Sequence, residues 1–104
     1  MADNVMFSVV AAGSFGTNGA SVVNRGCACA RQGAGDYTIT LDKGVGANDC
    51  VCLVSPRTTA SKTGYVTETD ALHKEVGTNA SDTDAATDSA FDFLCIRVGN
   101  GAGR

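Results

Sequence analysis

Residues 37–41, Tyr-Thr-Ile-Thr-Leu, constrain this chain more than any other segment. Tyr37, Ile39 and Leu41 alternate with Thr38 and Thr40, so one side is apolar and the other small and polar. A period of two is the mark of a β-strand with one buried face. The preceding Gly33-Ala34-Gly35-Asp36 supplies the backbone freedom of a tight turn. Residues 27–32 and 37–41 are therefore expected to pair as an antiparallel hairpin.

Turn signals recur along the chain at strand spacing. Strands are expected over residues 5–12, 21–24, 27–32, 37–41, 50–55, 64–70 and 90–98, with 72–76 open between a strand and a helical turn. Segments 21–24 and 27–32 read as one strand broken by a bulge at Gly26. The apolar run 50–55 reads as a central strand covered on both faces and ended by Pro56. The Thr-rich stretch 64–70 reads as an edge strand. Polar loops are expected over 42–49, 57–63 and 77–89, the last a solvated Thr/Asp/Ala run. No helix-length period of 3.6 appears. The core is expected to draw on Phe7, Ile39, Leu41, Leu53, Phe93 and Ile96, with Phe93 and Ile96 on opposite phases of one strand.

The fold class that follows is all-β: a single small antiparallel β-sandwich over residues 1–104, jelly-roll-like. A flexible N-terminal arm (about 1–4) and a Gly-rich tail (about 99–104) flank it. A length of 104 residues suits one domain with a modest core. The 13 glycines, single proline and absent tryptophan fit short strands and tight turns.

Charge narrows the function classes. The net charge of −3 argues against a nucleic-acid-binding surface. No stretch approaches the roughly 18 apolar residues of a membrane helix. Asp3 stands where a signal peptide carries positive charge, so the chain is expected to fold in a cytosol without export. From Tyr65 onward seven acids (Glu68, Asp70, Glu75, Asp82, Asp84, Asp88, Asp92) face three bases (Lys74, Arg97, Arg104).

Five cysteines are the sharpest chemical candidate. Cys27 and Cys29 are two apart, as are Cys50 and Cys52, so each pair points to one face of its strand. Four converging thiolates would suit zinc. Residues two apart on a strand are about 7 Å apart at the backbone, which spreads the sulfurs. Buried free thiols are the preferred reading, consistent with the odd count and Cys95 left over. A disulfide and a metal centre are the alternatives.

Other motifs carry less. His73 is the only histidine and has no nucleophile at a recognisable spacing, so it reads as a surface residue. Asp82, Asp84 and Asp88 open like a calcium loop but lack its turn glycine and closing glutamate. The glycine clusters at 33–35, 44–46 and 99–103 lack the Lys-Ser/Thr of a phosphate loop. Asn79-Ala80-Ser81 fits a glycosylation pattern that is frequent by chance. Neither a catalytic set nor a cofactor is expected.

The run Arg-Gly-Cys-Ala-Cys-Ala-Arg-Gln-Gly-Ala-Gly-Asp-Tyr-Thr-Ile-Thr-Leu at 25–41 resembles a hairpin of small β-sandwich virion proteins from tailed bacteriophages. Cys-Val-Cys-Leu-Val-Ser-Pro-Arg at 50–57 and Phe-Asp-Phe-Leu-Cys-Ile-Arg at 91–97 follow the same layout. The resemblance spans nearly the whole chain as a pattern of strands and turns, and the five cysteines are a departure from it. It implies a capsid decoration (cement) protein, or a closely similar head-fibre or tail-associated module. The implied partner is the major capsid protein, the implied state a homo-oligomer with a trimer favoured. The implied location is the capsid surface after synthesis in the host cytoplasm. Candidate capsid contacts are Met1, Ala2, Asp3, Asn4 and Val5, a terminus free to reach, and Lys43, Arg57 and Lys62, bases on loops away from the acidic C-terminal half. The alternatives are a tail- or fibre-associated receptor-binding module and a small cysteine-ligated metal-binding protein.

Overall fold

A computed structural model describes residues 5–45, 49–58 and 61–100. The order is β1 (Val5–Phe15), β2 (Ser21–Arg25), β3 (Cys27–Gly33), β4 (Asp36–Leu41), β5 (Cys50–Pro56), β6 (Lys62–Glu68), β7 (His73–Ala80) and β8 (Phe91–Asn100). They form two four-stranded antiparallel sheets, the first ordered β2-β1-β8-β5 and the second β3-β4-β7-β6. The protein is a β-sandwich, as its alternation implied.

The β3–β4 hairpin is the one read from Tyr37–Leu41, turning at Ala34-Gly35. Gly35 has a φ of +64°, and a Cβ there would run into the Thr78 carbonyl. Tyr37, Ile39 and Leu41 are all buried, with Thr38 and Thr40 on the other side.

The core lies between the sheets. β8 contributes Phe91, Phe93 and Cys95, β1 Ala11 and Phe15, and the second sheet Cys27, Tyr37, Ile39, Leu41 and Val76. Phe91 packs against Phe15 of its own sheet with ring centroids 5.4 Å apart, and against Tyr37 of the opposite sheet at 4.9 Å.

Several expectations change. Gly26 is not a bulge within one strand. β2 belongs to the first sheet and β3 to the second, and Gly26 alone carries the chain between them. Its φ of +77° makes the corner, and a Cβ would strike the Val10 carbonyl. A bulge does occur, but opposite, between Val9 and Ala11 on β1, where the corner packs.

β5 is an edge strand, not a central one, because only β8 pairs with it. Its run of apolar side chains hides a strict alternation. Cys50, Cys52 and Val54 pack against the core, while Leu53 is 55 % exposed and Val51 48 %. Leu53 therefore leaves the expected core. Ile96, paired with Val51, shares that outward side and is half-buried, whereas Phe93 points in. Phe7 lies in β1, and its side chain falls outside the description.

β7 runs through Gly77, Thr78 and Asn79, which the sequence assigns to a loop. Pairing on both sides, to β4 and β6, overrides their weak strand preference. β6 is the expected edge strand. Gly99 and Asn100, expected in the Gly-rich tail, belong to β8 and pair with Met6 and Val5. Residues 1–4 and 101–104 lie outside the described residues.

Truncating Ile39 to alanine is expected to cost about 2–5 kcal/mol, as for other fully buried aliphatics. Truncating Leu53 is expected to change stability by under about 0.5 kcal/mol, as for a surface site. Urea denaturation of the two variants checks both, and the opposite order would reverse the strand phases.

Candidate functional site

Two features of the first sheet stand out, and they lie on opposite sides of it. The outer side carries a band of apolar residues in two adjacent ladder rows. Val9, Ile96 and Val51 form one row across β1, β8 and β5, and Ala12, Leu94 and Leu53 form the next. Val9 is 65 % exposed, and the flanking strands leave Ile96 and Leu94 half-buried. Ser14, Asp92 and Ser55 end the band in a polar third row. Apolar rows gathered on one exposed face are what a binding surface offers.

The inner side of the same sheet carries thiols. Cys50 and Cys52 lie two apart on β5 and so share a face. Cys95 on β8 is directly opposite Cys52, and the two sulfurs are 3.2 Å apart. All three Sγ atoms lie within 4.8 Å of one another. Cys27 and Cys29 lie on the second sheet and are not part of this cluster, so the four-thiol arrangement weighed as an alternative is not what the fold assembles. Cys95, left over in the sequence, is the residue that completes the cluster. All five cysteines are free. Burial pushes the Cys27 and Cys29 thiols up to about 11, helped at Cys27 by Asp42 and Cys95 and at Cys29 by Cys27. Burial raises Cys52 further still.

Lys74 stands on the inner face of β7, only 1 % exposed. Its ammonium donates to the carbonyls of Val45 at 3.0 Å and Asp70 at 3.4 Å. Nothing in the sequence marked this lysine as buried.

The candidate contact bases do not form one patch. Lys43 follows β4 and lines a cleft of about 470 Å³ with Ser8, Val10, Gly26, Val45 and Arg97. Arg57 follows β5 at the other pole, where it bonds the Ser14 hydroxyl and lies 3.6 Å from Asp92. Lys62 opens β6 and donates to the Asp88 carbonyl at 2.8 Å. Arg57 and Lys62 therefore engage the C-terminal half instead of standing away from it. The sandwich brings the start of β8 beside the end of β5, which chain distance conceals. Val5 is the first residue of β1 and is paired with Asn100. Met1, Ala2, Asp3 and Asn4 lie outside the described residues.

The acids also take structural partners. Asp88 accepts bonds from the Arg31 guanidinium at 2.9–3.0 Å and from the Gly35 amide at 2.8 Å. It also meets the Tyr37 hydroxyl at 3.3 Å, and that hydroxyl donates to the Thr17 carbonyl at 2.7 Å. Asp84 accepts from Asn79 at 3.2 Å. His73 is half-buried beside Asp70, its Nδ1 2.9 Å from the carboxylate. Among the described residues no helix is long and apolar enough to cross a membrane.

No protein-family model, curated protein or solved structure matches the chain.

The Arg31 guanidinium and then the Gly35 amide hold the Asp88 carboxyl below its usual 3.8. The stability it contributes is present above the unfolded value and lost as pH falls through the lower folded one. Asp88→Asn is expected to flatten the stability profile below pH ~4, as measured by denaturation across acid pH. The thiols give the converse sign. Raised folded values mean stability held below the unfolded value of 9.0 and lost as pH rises through about 11. Because the thiolate is the nucleophile, Cys27 and Cys29 are expected to alkylate slowly at pH ~8 in the native protein and fully in denaturant. Fast native labelling at both would contradict their burial.

Proposed function

We propose that this protein is a structural virion protein that binds the outside of an assembled bacteriophage capsid and stabilises it. The observation that carries the reading is the apolar band Val9-Ile96-Val51 and Ala12-Leu94-Leu53 on a small sandwich. Such a face gains free energy by being covered, at about 1.5–3 kcal/mol for each large aliphatic side chain fully removed from water. A repeating shell multiplies a modest single contact through avidity, so a short chain suffices. The occupant of the band is the major capsid subunit. The resemblance of the 25–41 hairpin to phage virion proteins supports the same assignment, and with it a trimer. Residues 1–5, Lys43, Arg57 and Lys62 remain supplementary contacts in this reading.

A protein that binds only the intact shell stabilises it by linkage. Particles stripped of this chain are expected to lose heat resistance and to regain it when the protein is added back. Leu53→Asp is expected to weaken docking by roughly tenfold or more in a co-sedimentation assay, with the thermal unfolding of the free protein nearly unchanged. Equal stability of stripped and decorated particles would defeat the reading. Copy number separates the nearest alternative: on the order of hundreds per particle fits lattice decoration with avidity, whereas a handful places the chain at the tail.

A further inference from the structure

The face opposite the docking band poses a separate question, independent of the capsid reading: why three sulfurs meet on one edge of the sandwich. Cys50 and Cys95 are diagonal neighbours across the β5–β8 ladder, and Cys52 and Cys95 are direct ones. Diagonal and direct neighbours on one face are the pairs whose side chains can touch. That register brings together sulfurs that lie about 7 Å apart by strand spacing alone.

We propose that Cys50, Cys52 and Cys95 form a trigonal thiolate site for a soft monovalent cation, cuprous copper. Soft thiolate donors select cuprous copper, zinc and iron–sulfur clusters over hard ions. A structural zinc site closes with four protein ligands, and the described residues place three together here. The only histidine, His73, is held by Asp70 on the second sheet. An ion about 2.3 Å from each of three sulfurs needs those sulfurs about 4 Å apart. The observed sulfurs lie within 4.8 Å of one another, with the closest pair at 3.2 Å. Small side-chain rotations close the difference.

The surroundings suit such an ion. Cys50 and Cys52 are half-buried on an edge strand, which leaves a way in, while Cys95 is fully buried and shuts the back. On binding, each thiol gives its proton to solvent and its sulfur lone pair to the metal, with no change of oxidation state.

The test uses the full chain, reduced and kept anaerobic, titrated with cuprous ion as its acetonitrile complex against a chromophoric cuprous chelator. The expected result is one ion per chain, thiolate-to-copper absorption in the near ultraviolet, and three sulfur neighbours by X-ray absorption. Cys95 is fully buried, so Cys50→Ser, on the half-exposed edge, carries the mutational arm. Loss of even an outer partner of a metal costs about 10–100-fold in affinity, and loss of this direct ligand is expected to cost roughly 100-fold or more. Cys27→Ser and Cys29→Ser are expected to keep the stoichiometry. No stoichiometric uptake by the reduced protein overturns the proposal. So does unchanged affinity in a folded Cys50→Ser protein, loss of uptake in a folded Cys27→Ser or Cys29→Ser protein, or a site that takes zinc with four sulfurs and rejects copper.

Discussion

The contact on which this sandwich depends is the ring of Phe91 held between Phe15 and Tyr37. Phe91 sits on β8, a central strand of the first sheet, and Tyr37 on β4, a central strand of the second. Tilted aromatic pairs of this kind contribute about 0.5–1.5 kcal/mol beyond the area they bury. Their larger effect is geometric. Much of the remaining core is small: Ala11, Cys27, Cys95 and Val76. The rings of Phe15, Phe91 and Tyr37 set the separation of the sheets where they meet, with Val76 beside Tyr37 and Phe93 further along β8. The Tyr37 hydroxyl adds a polar end to the same contact. It draws in the Thr17 carbonyl and Asp88, and Asp88 holds the Gly35 turn and Arg31. The segment before β8 is thereby tied to the β3–β4 hairpin.

β5 shows how a period of two can give one strand two chemistries. Its odd positions, Val51 and Leu53, join the exposed band. Its even positions, Cys50 and Cys52, meet Cys95 inside. A slip of one residue in register would exchange the two sets completely. Each set is therefore a constraint on the other, and the direct pairing of Cys52 with Cys95 fixes both.

The same strand marks where the sequence stops being readable. Tyr37–Leu41 declared its phase because polar threonines separate the apolar residues. In Cys50–Val54 every residue is apolar, so the pattern reads as a central strand covered on both faces, which puts Leu53 and the cysteines inside together. Gly26 was visible as a backbone irregularity, but a bulge and a change of sheet use the same residue type. Gly77 and Thr78 looked like loop because their strand character comes from neighbours on both sides. Lys74 alternates with buried Val76 and Thr78, a phase that could be seen only once β7 itself was known. The thiol cluster needed the pairing of β5 with β8, which brings together residues 43 positions apart. The pairing of Val51 with Ile96 and of Leu53 with Leu94, which makes the outer band continuous, needed the same fact.

The ladder between β1 and β8 has a mechanical consequence. Val5, at the start of β1, lies opposite Asn100, at the end of β8. Both strands are central in their sheet, yet their outer ends meet at one pole. A tensile load applied through these two ends acts across the ladder and not along it. The hydrogen bonds of an antiparallel pair run perpendicular to the strands, so such a load opens them in succession, as a zipper, and does not shear them together. The domain should yield at low force when pulled from its two ends. Loads that enter through the broad face of the first sheet are shared by all four of its strands.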